Sequence, residues 1–357
     1  MYEKYFGLTG NPFSMTPDPA MLFMTPTHRE ALAGLAYAIL ERKGFAALTG
    51  EAGTGKTSLL ARTLTVLPKT RVVSSVILNP SLNESEFIEM MLLDFGFRDI
   101  PQSKARRLLL FQEFLLKTQA AGQIAVLVVD EAHKLTPAVL EEVRLLSNLE
   151  FPGTKLLQIV LAGQPELIDL LNRPDLRQLN HRVSVRVAIG LLKPGEIEHY
   201  ISLRWSKAAT TRPPFAESCY GEIARWSRGI PRLVNSICDN ALMLAFAETA
   251  LLVEPHHVIE ASRDLSLADP AGKLYAVPVQ AASAAAGQSA NAAASSANGK
   301  APAGAVERKQ EAAPANLRPA AIPLAGPTAP LRPAGAYAPP PKPPAWWRWM
   351  TRRKAAP

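Results

Sequence analysis

The sequence predicts an α/β protein in which a parallel sheet is flanked by helices, followed by an all-helical domain and a tail rich in alanine and proline. Up to about residue 190, short apolar β-branched runs alternate with longer segments of helical period. From Pro194 onward the predicted segments are all helical. From residue 267 the chain contains too few large apolar residues to form a folded core. The predicted domains are therefore an α/β domain at 1–190, a helical lid at 191–266, a disordered linker at 267–345 and a tail at 346–357.

Helix caps and apolar runs place the individual elements. Thr25 followed by Pro26 predicts the start of the first helix, and Gly44 predicts its end. Ser81, with Glu84 three residues later, predicts a capped helix start. The remaining elements are strands at 45–49, 71–79, 124–130 and 155–163, and helices at 103–122, 194–207, 215–227, 231–249 and 255–264.

The net charge of +8 is unevenly distributed along the chain. Residues 267–357 hold the entire excess of Lys and Arg, whereas residues 1–266 contain equal numbers of basic and acidic side chains. A neutral body argues against nucleic acid as a partner of the folded part. No apolar run approaches the ~20 residues of a membrane-spanning helix, and the N-terminus lacks the features of a secretory signal, so a cytoplasmic chain is expected.

A phosphate-binding pattern, G-x-x-x-x-G-K-[ST], occurs at residues 50–57 as GEAGTGKT, between a predicted strand and a predicted helix. Its glycines let backbone N–H groups approach phosphate oxygens, where the helix N-terminus adds its positive dipole end. Lys56 is predicted to reach the β- and γ-phosphates of ATP, and the Thr57 hydroxyl to bind Mg²⁺. The predicted nucleotide-binding residues of this loop are Gly50, Glu51, Ala52, Gly53, Thr54, Gly55, Lys56, Thr57 and Ser58.

An acidic pair, Asp130-Glu131, ends the apolar strand at 124–130. Ligands collect at the carboxyl ends of parallel strands, so this pair is expected beside the phosphate loop. We predict that Asp130 binds Mg²⁺ and that Glu131 is the base that polarises the attacking water. The tetrad DEAH at 130–133 also marks a class of helicases, but the chain lacks the second α/β domain that such a helicase needs, so His133 is interpreted as a local helix-entry residue.

Six ordered motifs occur along the chain: YEKYFGLTGNPFSMTPDP (2–19), the phosphate loop, VLVVDEAHKL (126–135), LQIVLAGQPEL (157–167), LRQLNHRVSVR (176–186) and GIPRLVN (229–235). Together they resemble the secretion ATPase family of general secretion pathway protein A, and in parts the AAA+ ATPases of transposition and pilus assembly. The resemblance covers about residues 1–266 and implies an AAA+ core, ATP hydrolysis, and assembly into a ring or dimer. It also implies that the partners are proteins of envelope secretion or polysaccharide export.

The resemblance also implies roles for single residues. Gln164 corresponds to sensor 1, a polar side chain near the γ-phosphate, and Arg232 to sensor 2, which reaches the nucleotide from the lid. Asn79 resembles the residue that holds the catalytic glutamate away until a partner binds, although an Asn before Pro80 is equally typical of a turn. Phe13 resembles a residue of the segment that lies against adenine, with a packing role as the alternative.

Arg177 and Arg182 lie where this superfamily presents an arginine finger to the neighbouring subunit. A guanidinium supplied in trans neutralises charge on the transferred phosphoryl group. Arg182 is favoured over Arg177, and a plain surface role is the alternative for both.

The tail, PPAWWRWMTRRKAAP, differs from the longer secretion members of the family, which continue through a membrane span to a peptidoglycan-binding domain. Its Trp and Arg side chains suit the surface of an anionic membrane, which would place the chain at the inner face of the cell membrane. A disordered tail without a partner and stacking on single-stranded nucleic acid are the alternatives. For the whole chain, the alternative function is a DNA-handling, transposition-type AAA+ regulator.

Overall fold

A computed structural model describes residues 1–16, 18–78, 81–151 and 153–268 of the chain. Asn79 and the tail at 346–357 lie outside the described residues, as does the predicted linker from residue 269 onward. Within the described part, every helix is too short or too polar to span a bilayer.

Five parallel strands form the central sheet in the order β2-β3-β6-β1-β7. The three inner strands β3, β6 and β1 are buried along their whole length, whereas the edge strands are partly exposed. This explains the nearly continuous apolar runs of the inner strands, since helices cover both faces of the sheet. The strands are β1 (Phe45–Thr49), β2 (Val72–Ile77), β3 (Ile124–Val129), β6 (Leu157–Gly163) and β7 (Val183–Ala188), with a separate antiparallel hairpin of β4 (Glu150–Phe151) and β5 (Thr154–Lys155).

The described residues contain twelve α-helices, and the last four, α9 to α12, come after the final strand of the sheet. Alternate residues of β3 face opposite layers: Leu127 packs in a cluster with α4, α5 and α6, and Val128 packs in a cluster with α2 and α3. The predicted α/β fold with helices on both faces is thereby confirmed. The helices are α1 (Tyr2–Tyr5), α2 (Pro26–Leu40), α3 (Lys56–Val66), α4 (Glu84–Asp94), α5 (Lys104–Ala120), α6 (Pro137–Leu146), α7 (Glu166–Leu171), α8 (Arg177–Asn180), α9 (Ile197–Trp205), α10 (Glu217–Ser227), α11 (Pro231–Ala247) and α12 (Pro255–Asp264).

Two predicted helix boundaries are wrong. The capping box of α4 is formed by Asn83 and Glu86, not by Ser81 and Glu84: the Asn83 side chain accepts from Glu86 N at 3.0 Å, and Glu86 Oε2 accepts from Asn83 N at 2.9 Å. The predicted cap at Thr25 is confirmed, because its hydroxyl accepts from the backbone N–H of His28. However, α2 ends at Leu40, four residues before Gly44, because the chain turns there to enter β1.

The helices after β7 pack around a core of their own, and the first residues of the chain join it. Tyr2, Leu8 and Phe13 are buried in the same cluster as Trp205 and other residues of α9 to α12. Backbone and side-chain hydrogen bonds fasten this N-terminal segment, for example from Thr9 N to the carbonyl oxygen of Ala208 at 2.9 Å. The N-terminal segment therefore belongs to the helical part of the fold, although the sheet separates the two in sequence.

Candidate nucleotide-binding site

The phosphate loop runs from the end of β1 to the start of α3 at Lys56. Gly53 (φ 80°) and Gly55 (φ 96°) have left-handed backbone conformations that favour glycine. A Cβ atom on Gly50 would lie 3.0 Å from the carbonyl oxygen of Ile189, so the loop lies directly against the chain that follows β7. This geometry gathers backbone N–H groups around the N-terminus of α3, as a phosphate group requires.

Lys56 lies over this loop and is only 5% exposed. Its Nζ donates hydrogen bonds to the carbonyl oxygens of Gly50 at 2.9 Å and Glu51 at 3.0 Å. Burial lowers the pKa of Lys56 from its ordinary value, although the nearby carboxylates of Glu131 and Asp130 oppose that shift. A phosphate group would offer this ammonium a charged and therefore stronger acceptor than the two carbonyls.

The first turn of α3 meets the end of β3 through one hydrogen bond. Thr57 Oγ1 donates to Asp130 Oδ2 at 2.5 Å, and Asp130 is 3% exposed. A hydroxyl and a carboxylate oxygen are the hard donors that Mg²⁺ prefers, so the residues present fit this ion. Thr57 and Asp130 are the residues that would hold it, and bound Mg²⁺ would neutralise charge on the phosphates.

Glu131 follows Asp130 in a left-handed conformation (φ 53°) and lines the cleft. Its Oε2 lies 3.1 Å from Lys134 Nζ and 3.7 Å from His133 Nε2. Burial raises the pKa of the Glu131 carboxyl, but the hydrogen bond from Lys134 and the charges of Lys134 and Lys56 outweigh it, so the pKa lies below its ordinary value. Glu131 is thus ionised near neutral pH, the state that a proton acceptor requires.

Gln164 follows β6 and lines the same cleft. Its backbone N–H donates to His133 Nδ1 at 3.3 Å, and its side-chain amide lies 3.2 Å from His133 Nε2. The prediction that His133 is a local helix-entry residue does not include this contact with Gln164. The available signal was its place in DEAH, two residues after Glu131.

The lid contacts the phosphate loop through the first turn of α11. Arg232 N donates to the carbonyl oxygen of Gly53 at 3.3 Å, and a Cβ atom on Gly53 would lie 2.6 Å from Arg232 Cβ. Arg232 also lines the cleft, so the structure places it beside the phosphate loop.

Phe13 is not in the cleft, contrary to its predicted place beside adenine. Its ring is 1% exposed and packs edge-to-face on Phe215, with ring centroids 6.3 Å apart. The apolar core of the helices takes up this ring, whereas the following residues Ser14, Met15 and Thr16 line the cleft.

The cleft has a volume of about 550 Å³, and its lining includes His28, Tyr200, Arg204 and Asn235, which the sequence does not predict as site residues. His28 is buried and its Nε2 lies 3.1 Å from the carbonyl oxygen of Thr54 in the loop, and burial lowers its pKa. Arg204 Nε donates to Pro12 O at 2.7 Å, which holds the N-terminal segment at the cleft. These contacts join segments far apart in sequence, so no local pattern indicates them.

Neither of the two candidate arginine fingers lines the cleft of its own chain. Arg182 Nη1 donates to Ser147 Oγ and to Asn148 Oδ1, both at 2.6 Å. Arg177, at the start of α8, is exposed and makes no side-chain hydrogen bond or ion pair within the described residues. Of the two guanidinium groups, that of Arg182 is therefore held by its own chain, whereas that of Arg177 has no such partner within the described residues.

A group of potential metal ligands also occurs in the helical part, where Glu248, His256 and His257 place ligand atoms within 4.8 Å of one another. However, His257 Nδ1 accepts from Glu254 N at 2.9 Å, so its Nε2 keeps the ring proton and donates to Glu248 at 3.1 Å. A protonated nitrogen cannot bind a metal ion. The group is therefore better explained as the N-terminal cap of α12.

Comparison with known proteins adds to this geometry. Residues 39–171 match a family model described as an AAA domain. Over 272 residues, or 75% of its length, the chain is 42% identical to general secretion pathway protein A of Aeromonas hydrophila. That alignment covers 48% of the relative, so the chain spans about half the length of the protein it matches.

Solved structures share the fold at low sequence identity. Cdc6p from Pyrobaculum aerophilum superposes with a TM-score of 0.57 at 19% identity, covering 72% of this chain and 71% of that one. The ORC2 protein of Aeropyrum pernix, solved as ADPNP-ADP complexes, gives a TM-score of 0.57 at 14% identity and covers 73% of each chain. At these identities the similarity establishes the fold alone.

Proposed function

Because the chain belongs to the AAA+ ATPase family of general secretion pathway protein A, we propose that it binds ATP between the phosphate loop and α11 and hydrolyses it with the help of Mg²⁺. One observation carries this proposal. Lys56, Thr57, Asp130 and Glu131 converge where β1 and β3 end, opposite the lid residue Arg232.

Each group has a distinct task in the proposed reaction. Lys56 and the loop amides bind the phosphates, and Thr57 and Asp130 hold Mg²⁺. Glu131 accepts a proton from the attacking water, while Gln164 contacts the transferred phosphoryl group. Arg232 binds the nucleotide from the lid, so that ATP favours a closed arrangement of α11 against the loop.

The biological role that we propose is to energise or switch the assembly of an envelope secretion or polysaccharide-export apparatus. The relative of Aeromonas hydrophila is named for a secretion pathway, which supports this role. In our proposal the chain works in the cytoplasm as a ring or dimer. The tail at 346–357 would contact an anionic membrane surface, a proposal that rests on its sequence alone.

A DNA-handling AAA+ regulator is the second candidate function. The same cleft would serve it, with nucleotide-gated DNA binding as the output. The balanced charge of residues 1–266 speaks against it, since DNA-binding proteins neutralise phosphates with an excess of Lys and Arg.

Phosphate release by the purified full chain tests the proposed function. We expect turnover of MgATP that stops when EDTA removes the metal, and we expect the rate to be unchanged by double-stranded DNA at low salt. A DNA-stimulated rate together with salt-sensitive DNA binding would support the regulator instead. Absence of both ATP binding and phosphate release would refute the assignment as an ATPase.

Mixing variants tests whether Arg177 acts on a neighbour. Arg177→Ala subunits retain an intact cleft, and Lys56→Ala subunits retain Arg177, so a mixture should regain part of the hydrolysis that each lacks alone. Arg182→Ala is the matched control, because its guanidinium bonds Ser147 and Asn148 within the same chain, and mixing should not rescue it. Rescue of Arg182→Ala without rescue of Arg177→Ala, with assembly intact in both, would reverse the assignment.

A further inference from the structure

His133 lies close to both Glu131, the proposed acceptor of the water proton, and Gln164, the proposed contact of the phosphoryl group. It belongs to a short 3₁₀ turn, Ala132–Lys134, directly after Glu131, and its side chain is 12% exposed. A Cβ atom on Gly163 would lie 3.2 Å from His133 Nδ1, so glycine at the end of β6 lets the ring approach this closely. The ring thereby touches the residue after Gly163, which is Gln164.

The hydrogen bonds of His133 determine the tautomer of its neutral ring. The backbone N–H of Gln164 donates to Nδ1 at 3.3 Å, and a backbone N–H can only donate. Nδ1 must therefore carry a lone pair. In the neutral ring the proton is then on Nε2, which makes Nε2 a donor.

This tautomer in turn determines which end of the Gln164 amide, oxygen or nitrogen, faces His133. The amide lies 3.2 Å from His133 Nε2, measured at the amide nitrogen. Two N–H groups cannot bond each other, and a half-turn of the amide exchanges its oxygen and nitrogen in nearly the same space. The stable arrangement has the Gln164 oxygen accepting from Nε2–H, which leaves the NH₂ group free to donate into the cleft.

We propose that His133 is a positioning residue, which holds the Gln164 amide with its NH₂ group turned toward the transferred phosphate. Glu131 Oε2 lies 3.7 Å from Nε2, beyond hydrogen-bond distance, so the orienting contact of His133 is the one with Gln164. The inference rests on the proposed hydrolysis of ATP in this cleft.

His133→Phe is the direct test, because phenylalanine keeps a ring of similar size and removes both hydrogen bonds. We expect kcat to fall by about tenfold to a hundredfold, the usual cost of a misplaced catalytic group. KM and the affinity for a fluorescent ATP analogue should change by less than about twofold, since the variant retains the loop and Lys56. His199→Phe, at an exposed position of α9, is the matched control and should keep the wild-type rate.

A double-mutant cycle separates positioning from a general effect on stability. If His133 acts through Gln164, Gln164→Ala and the double variant His133→Phe/Gln164→Ala should have nearly the same kcat. Losses that multiply in the double variant would overturn the inference, as would a wild-type kcat in His133→Phe. A Gln164→Ala variant with full activity would instead refute the role of Gln164 in the proposed function.

NMR of histidine labelled with ¹⁵N reads the tautomer without reference to activity. The chain has six histidines, and the signal lost in His133→Phe identifies the ring. For the neutral ring we expect an unprotonated Nδ1 and a protonated Nε2. The opposite tautomer would overturn the inference even if the chain hydrolyses ATP as proposed.

Discussion

Glu131→Gln is expected to leave ATP bound while slowing its hydrolysis by about a hundredfold to ten-thousandfold. The amide keeps the size of the carboxylate but cannot take the proton of the attacking water, a contribution that general bases typically make at this scale. Because the substitution affects the transition state and not the ground state, kcat should fall while the affinity for ATP remains that of the wild type. Single-turnover hydrolysis and equilibrium binding of a fluorescent ATP analogue measure the two separately.

The control for Glu131→Gln is Glu141→Gln, which removes a carboxylate that pairs with Arg144 on α6, away from the cleft. It should hydrolyse ATP at the wild-type rate. A Glu131→Gln variant with wild-type kcat would show that another group accepts the proton.

Lys56→Ala is expected to abolish nucleotide binding at concentrations that saturate the wild type. The substitution removes the charge that faces the phosphates. It also removes the two hydrogen bonds from Lys56 to the carbonyl oxygens of Gly50 and Glu51, which stabilise the loop. A charge-assisted contact of this kind contributes about 1.5–3 kcal/mol, or more than about tenfold in affinity, before the effect on the loop is counted. Isothermal titration with ATP and with ADP measures the loss.

Lys69→Ala, at an exposed position after α3, is the matched control and should bind ATP as the wild type does. Thermal unfolding without nucleotide checks that Lys56→Ala is folded. Equal ATP affinity of wild type and a folded Lys56→Ala would remove the phosphate loop from the proposed site.

The sequence was sufficient to predict the sheet and the phosphate loop because both have strong local signals. Buried parallel strands such as β3 are apolar throughout, and the spacing from Gly50 to Thr57 is tied to a strand before it and a helix after it. The start of α4 was missed by two residues because Ser81 and Asn83 are both good caps, and only the folded chain selects Asn83.

The details of the site that escaped prediction depend on contacts between distant segments. Phe13 could face either adenine or a core, and the position of α10 decides, since Phe215 just before this helix meets its ring. Likewise, His133 meets Gln164 only because β3 and β6 are neighbours in the sheet. The sequence favours Arg182 over Arg177 as an arginine finger, and it gives no sign that Ser147 and Asn148, in the loop after α6, bind the Arg182 guanidinium.

Because the N-terminal segment packs on the last helices, it can complete its folding only late in the synthesis of the chain. Tyr2 hydrogen-bonds Asp239, a residue made 237 positions later, and Asn11 bonds the same carboxylate. At about 5–20 residues per second, the ribosome needs roughly 10–50 seconds to cover this distance. The strands from Phe45 to Ala188 are complete well before then. The sheet can thus form before Asp239, the partner of Tyr2 and Asn11, has been synthesised. The helical part, which closes one side of the cleft, is completed after the sheet.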